Sequence, residues 1–203
     1  MAKPRDARPR PLSPDEVGDV LERFGAIDQR NRGENTWWRA KEGGGTHIIS
    51  VARHHNPLRP GTLGSIIRQS GIPKKEFWRA DANKNWPPPI VATKGGLGLT
   101  KKELAAALRA ELDDVESWLD GSAEPAGADA RRLAALEEFR TSITSGTSDK
   151  HPVWKWLREP NAALDNDAPV KRLAEIQDFR ALARLDGRRG AAPPNLLVKI
   201  ERR

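Results

Sequence analysis

The chain has 203 residues, no cysteine, 37% hydrophobic residues, 31% charged residues and a net charge of +7. Disulfides, thiolate nucleophiles and cysteine zinc sites are therefore excluded, and the four histidines (His47, His54, His55, His151) lack metal-ligand spacing, so neither metal nor cofactor is expected. No apolar run approaches the length of a membrane span, and Met1–Pro11 lacks the apolar core of a signal peptide, which predicts a cytoplasmic protein without membrane contact.

Residues 1–10 are rich in proline and arginine and are expected to be a disordered basic arm. In "LSPDEVGDVLERFG" Ser13 caps, Pro14 suits the first turn and Glu16 completes a capping box. Val17, Val20, Leu21 and Phe24 then share one helical face, and Gly25 stops the helix. "AIDQR", "NTWWRA" and "THIISVA" predict three short strands, with Lys41–Gly45 as the turn between the last two. "RHHNPLRPG" predicts a loop. A helix capped by Thr62 follows, with Leu63, Ile66 and Ile67 inward and Gly71 at its end, then a short helix around Lys74–Arg79. This α-β-β-β-α order predicts a two-layer α+β domain over 11–80.

Residues 81–98 ("DANKNWPPPIVATKGGLG") predict a proline-rich linker, extended at Pro87–Pro89, with Trp86 docked on a neighbour. "LTKKELAAALRAELDDVESWLDGSAEP" opens a second domain over 99–145. Thr100 and Glu103 form a capping box, Leu104, Ala105 and Leu108 pack, and a break near Arg109–Glu111 leads to a helix with Val115, Trp118 and Leu119 inward, ended by Gly121. "DARRLAALEEFRTSI" adds an amphipathic helix through Leu133, Leu136 and Phe139. After "TSGTSDKHP", residues 150–203 predict a helical region in which Val170, Leu173, Ile176, Phe179, Leu182 and Leu185 recur at helical spacing, before a basic tail.

The charge is lopsided: residues 1–98 carry 17 Lys and Arg against 10 Asp and Glu, whereas 99–203 carry 18 of each, which points to an anionic partner for the first half. Arg30, Arg32 and Arg39 lie on or beside the strands and, with Arg53, Lys74 and Lys75, are expected to form a phosphate-binding face; His54, His55 and Arg59 in the basic loop are candidates for the same role. Trp37 and Trp38 are neighbours on one strand and so face opposite ways, one into a core and the other into packing, a partner or a base.

"HNPLRPGTLGSIIRQSGIPKKEF" resembles the C-terminal half of HicA toxins, small mRNA interferases with a double-stranded-RNA-binding-like fold, and "RPGTLGSIIRQSGI" is its most specific part. "RGENTWW" aligns with that family's Gly-Ser-His stretch, so that Gly33 matches the glycine, Glu34 replaces the serine and Asn35 stands where the catalytic histidine would be. The resemblance implies the fold and nucleic-acid affinity, but an asparagine amide cannot act as a general base. An alternative register sets Gly45–His47 on the motif with His47 as base.

The second domain resembles Xre-type helix-turn-helix proteins, with Arg109 in place of the turn glycine. That resemblance implies duplex DNA contact, with Lys101 and Lys102 clamping phosphate and Ser117 on the helix facing the groove. Glu111, Asp113, Asp114 and Glu116 on that helix would repel phosphate, so a dimerisation or protein-docking role stands beside it. "WLREPNAALDNDAPVKRL" is similar to the toxin-binding region of MbcA/ParS/Xre antitoxins, with Asn166–Asp167 replacing a glycine turn, and makes Trp154 and Trp156 candidates for contact with a toxin or polymerase. The expected function is a non-enzymatic DNA- or RNA-binding transcriptional regulator of toxin–antitoxin or phage type, acting as a homodimer. The alternatives are an mRNA interferase using His47 or His54, and a scaffold or antitoxin acting through the C-terminal helices.

Overall fold

In the computed structural model the described residues are 10–31, 34–144 and 153–185, with side chains described for 10–29, 36–144 and 153–185. The class is α+β: an N-terminal α-β-β-β-α unit followed by helices. Helix α1 (Pro14–Arg23) begins as its sequence requires. Ser13 Oγ accepts from the Glu16 amide at 3.2 Å, and the Ser13 amide donates to Glu16 Oε2 at 2.8 Å. These bonds, the backbone one first, together with Arg10, hold the Glu16 carboxyl down at about 2.

Strands β1 (Ile27–Asn31), β2 (Glu34–Ala40) and β3 (Thr46–Val51) form an antiparallel sheet in chain order, with Trp37 opposite Ile49 and Trp38 opposite Ile48. Because side chains alternate, Trp37, Ile49 and Val51 enter one core with α1, α2 (Pro60–Ser70) and Phe77 of α3 (Lys74–Ala82). Trp38 and Ala40 meet a second core on the other face. The central strand thus divides the molecule's two cores. Helix α2 starts at Pro60, two residues before the expected Thr62 cap, because Pro60 occupies the first helical position where its missing N–H costs nothing.

Residues 81–98 are not a linker. They hold the end of α3 and all of α4 (Pro89–Leu97), whose first residue is the last of the three prolines. Ile90 and Leu97 are buried, and Trp86 packs over Gly121 with the Arg79 guanidinium on its ring. Helix α4 approaches the backbone after α1 so closely that a Cβ at Gly95 would overlap the Phe24 carbonyl oxygen.

Helices α5 (Lys101–Leu108) and α6 (Leu112–Asp120) form the expected helix-turn-helix pair, joined through Arg109 in the left-handed region at φ 58°. The Ala110 amide closes onto the Ala105 carbonyl, and Arg109 Nε donates to the Ala174 carbonyl at 2.7 Å, which offsets the strain of a non-glycine residue there. Helix α7 (Gly127–Thr144) carries Arg132, which donates to the carbonyls of Ala107, Leu173 and Ile176. Burial first, then Arg109, pulls the Arg132 guanidinium down to about 10.

Beyond α8 (Val153–Trp156) the expected helical region consists of short helices, among them α9 (Pro169–Arg172) and α10 (Phe179–Arg184), and Asp178 caps the start of α10 by accepting from the Arg180 amide. Leu173, Ile176, Phe179 and Leu182 are buried all the same, in one core with α4 to α7. The segments 99–145 and 150–203 therefore share a core where described. The tail beyond residue 185 lies outside the described residues.

Candidate nucleic-acid interface

The loop between β3 and α2 is anchored by buried Leu58, whose amide donates to the Leu12 carbonyl at 2.8 Å. That anchor leaves Arg53 and His54 exposed and His55 half-buried, with the two imidazole rings tilted at 54° and 4.2 Å apart. Arg59 stands exposed at the N-cap of α2 without a side-chain capping bond. Lys74 and Lys75 are exposed in the first turn of α3. Pro60 and Lys74 line the same groove, so the starts of α2 and α3 lie side by side.

From Gly43 to Lys75 the chain has five Lys and Arg and no Asp or Glu, so no neighbour in sequence neutralises them. Among the described residues Arg53, Arg59, Lys74 and Lys75 form no ion pair, in contrast to Lys94, which meets Glu42 at 2.7 Å, and Arg158, which meets Glu103 at 2.9 Å. Lys74 and Lys75 also sit at the positive end of the α3 dipole, where cations lower helix stability. No ion pair among the described residues offsets that cost, whereas a phosphate would meet both the ammonium groups and the helix end favourably. Arg68, exposed in the last turn of α2 with its guanidinium donating to Ser65 Oγ at 3.0 Å and without an ion pair among the described residues, belongs with this set. The absence of acidic residues around it was the signal that would have found it.

Three expected site residues have other work. Arg39 is half-buried on the face under α1 and α2, donating to the Phe24 carbonyl at 3.1 Å and the Ser70 carbonyl at 3.0 Å. Two of its nitrogens thus serve the negative ends of two helices rather than the exposed basic set; burial pulls its guanidinium down from the ordinary value. Trp154 is 1% exposed, with its indole N–H on Thr46 Oγ1 at 3.0 Å, so it is a core residue joining α8 to β3 rather than a partner contact. Ser117, half-buried, donates its hydroxyl to the Asp114 carbonyl of its own helix at 2.7 Å. Trp156 is half-buried against the second core.

Lys101 is held by Glu116 at 2.7 Å across the helix pair, and Lys102 is exposed. The Arg30 side chain and Arg32 lie outside the described residues. His47 is half-buried on the Arg39 face, its ring against Gly71. Burial first, then Arg39 and Lys41, lowers its pKa, while a hydrogen bond to the Gln69 backbone works the other way. Among the described residues no cluster of three or more metal-ligating side chains occurs, and no helix is long and apolar enough to cross a membrane.

No family model, no curated protein and no solved structure matches this chain.

Proposed function

We propose that the chain is a non-enzymatic nucleic-acid-binding regulator, of the toxin–antitoxin or mobile-element type implied by its HicA-like and Xre-like resemblances. Its basic α+β unit neutralises backbone phosphate through Arg53, Arg59, Lys74 and Lys75, with His54, His55 and Arg68 beside them. The observation that carries this reading is a set of exposed cations without ion pairs among the described residues, two of them in the first turn of α3 where they oppose the helix dipole. Helices α5 and α6 serve assembly of a homodimer. Their Lys101 is occupied by Glu116, and Glu111, Asp113 and Asp114 would meet phosphate with like charge.

Asn35 stands at the position the HicA resemblance gives to a catalytic histidine, and an amide does not take up a proton from a ribose hydroxyl. The expected behaviour is binding without cleavage.

Selection of the full chain on a random duplex-DNA pool tests the reading, followed by affinity measurements on duplex DNA and on RNA across a salt series. A steep fall of affinity with salt is the expected result, and retained molecules with two related half-sites would mark base reading by a homodimer in addition. Salt-insensitive binding, or none, would overturn phosphate neutralisation. RNA cleavage that disappears in His47→Ala or His54→Ala would replace a binding protein with a ribonuclease.

A further inference from the structure

The groove between α2 and α3 has an apolar lining that phosphate contact leaves unused, and it shares Lys74 with the phosphate-binding set. It encloses about 360 Å³, which lies near the lower end of the range for small-molecule sites. Pro11, Leu58, Pro60, Leu63, Ile67 and Trp78 line it, with no Asp or Glu among the lining residues. Two cations do line it, Arg10 and Lys74. Arg10 is already neutralised, at 2.7 Å from Glu16 and bonded to both carboxylate oxygens of Asp81. Lys74 has no ion pair among the described residues. One uncompensated positive charge beside an apolar cavity calls for one negative charge on an apolar body.

A second observation concerns Gly64, which also lines the groove from the middle of α2. A glycine in a helix interior lowers stability relative to alanine. Nothing lies within 4 Å of where its Cβ would stand, so no neighbour in the fold demands a glycine. What glycine provides there is open space. Neither end of the chain is a suitable occupant, because 1–9 and 186–203 each carry an excess of Lys and Arg.

We propose that this groove binds a small aromatic or branched monocarboxylate. Its apolar body lies against Leu63, Ile67 and Trp78 in the space left by Gly64, and its carboxylate meets the Lys74 ammonium. A single free cation and a cavity of this size fit a monoanion better than a nucleotide or a peptide.

The test titrates the full chain, nitrogen-labelled and free of nucleic acid, with phenylacetate, indoleacetate and isovalerate and with their primary amides. The Trp78 indole signal reports binding. Saturable shifts are expected for at least one acid with a dissociation constant below about 1 mM, and its amide should bind about tenfold more weakly. Lys74→Met should bring acid and amide together. Gly64→Leu should abolish the shifts while the melting temperature holds or rises, since leucine is the better helix former. Failure of every acid to saturate by about 5 mM would overturn the proposal. So would equal binding of acid and amide, or binding that survives Gly64→Leu in a folded protein. With nucleic acid absent, none of these outcomes bears on the phosphate-binding reading.

Discussion

Two stretches of this molecule have opposite charge and opposite relations to the fold. Gly43–Lys75 carries five Lys and Arg and no Asp or Glu; Ala110–Ala130 carries seven Asp and Glu and no Lys or Arg. In the acidic stretch, charge and structure agree. Asp113 and Asp114 occupy the first turn of α6, where carboxylates favour the helix dipole, and Asp120, the last residue of the helix at the unfavourable end of that dipole, is compensated by accepting from the Ser122 amide at 2.8 Å. In the basic stretch, Lys74 and Lys75 oppose the dipole of α3, and Arg53 and Arg59 have no ionic partner among the described residues. Acidity in the first turn of α6 is thus accounted for by local stability, whereas no ion pair or helix-end effect among the described residues accounts for the basic set. Net charge alone, +7 over the whole sequence, does not make that distinction.

The largest effect should come from reversing the basic set. Arg53→Glu, Lys74→Glu and Lys75→Glu together should lower duplex affinity by about a thousandfold and flatten the log–log salt slope by about 3. The matching change in the acidic stretch, Asp113→Asn, Asp114→Asn and Glu116→Gln, should alter affinity by less than about threefold if nucleic acid stays away from α6. Gel-shift titrations across a salt series measure both. A large gain in affinity from the second set would place nucleic acid against α6 and break the contrast.

A sharper comparison sets a half-buried, hydrogen-bonded arginine against an exposed one. Arg39→Met removes the donor to the Phe24 and Ser70 carbonyls and should cost about 2 kcal/mol of stability, leaving the affinity of the folded protein near its original value. Arg53→Met should do the reverse, with unchanged stability and weaker binding. Urea unfolding and binding titrations on the same two variants separate the roles.

Arg39 also marks the limit of what the sequence made legible. Local signals carried well: both capping boxes, Ser13 with Glu16 and Thr100 with Glu103, form as their spacing predicts, and Gly71 and Gly121 end helices in the left-handed region. Strand alternation put Trp37 and Trp38 on opposite faces, but it could not show that two helix ends close over Arg39. The partner of Trp154, Thr46, lies 108 residues away in sequence, so its burial is a tertiary fact. Helix α4 was hidden because three consecutive prolines suggest extended chain, while the last of them starts a helix. The absence of Asp and Glu from Gly43 to Lys75 was legible in the sequence, and with it the lack of near ionic neighbours for the loop cations. Their distinction from Arg39 was not.

His47 gives a smaller, pH-dependent test of the same face. Burial, Arg39 and Lys41 disfavour its charged form, so its folded pKa lies below the ordinary 6.5. Below that value the unfolded chain takes up a proton before the folded one. The contribution of His47 is therefore fully present above about pH 6.5 and lost as pH falls toward the folded pKa. His47→Gln should flatten the stability profile in that window, as followed by urea midpoints. An unchanged slope would place the titrating group elsewhere.

The smallest effect tests the contrast most directly, because it predicts opposite signs for two properties. Lys74→Gln with Lys75→Gln removes two positive charges from the positive end of the α3 dipole. The free protein should become more stable by a few tenths of a kcal/mol. The same change deletes two phosphate partners and should weaken duplex binding while lowering the log–log salt slope by about 2. Neutralising Asp113 and Asp114 to Asn should instead destabilise the free protein slightly, since those carboxylates favour the α6 dipole. If the two lysines stabilise the fold through contacts of their own, the double variant will melt earlier. Their exposure would then be a structural matter, and the basic stretch would stand on the same footing as the acidic one. If stability rises while affinity falls, the lysines are held against the preference of their helix, and the compensating term lies in the bound state.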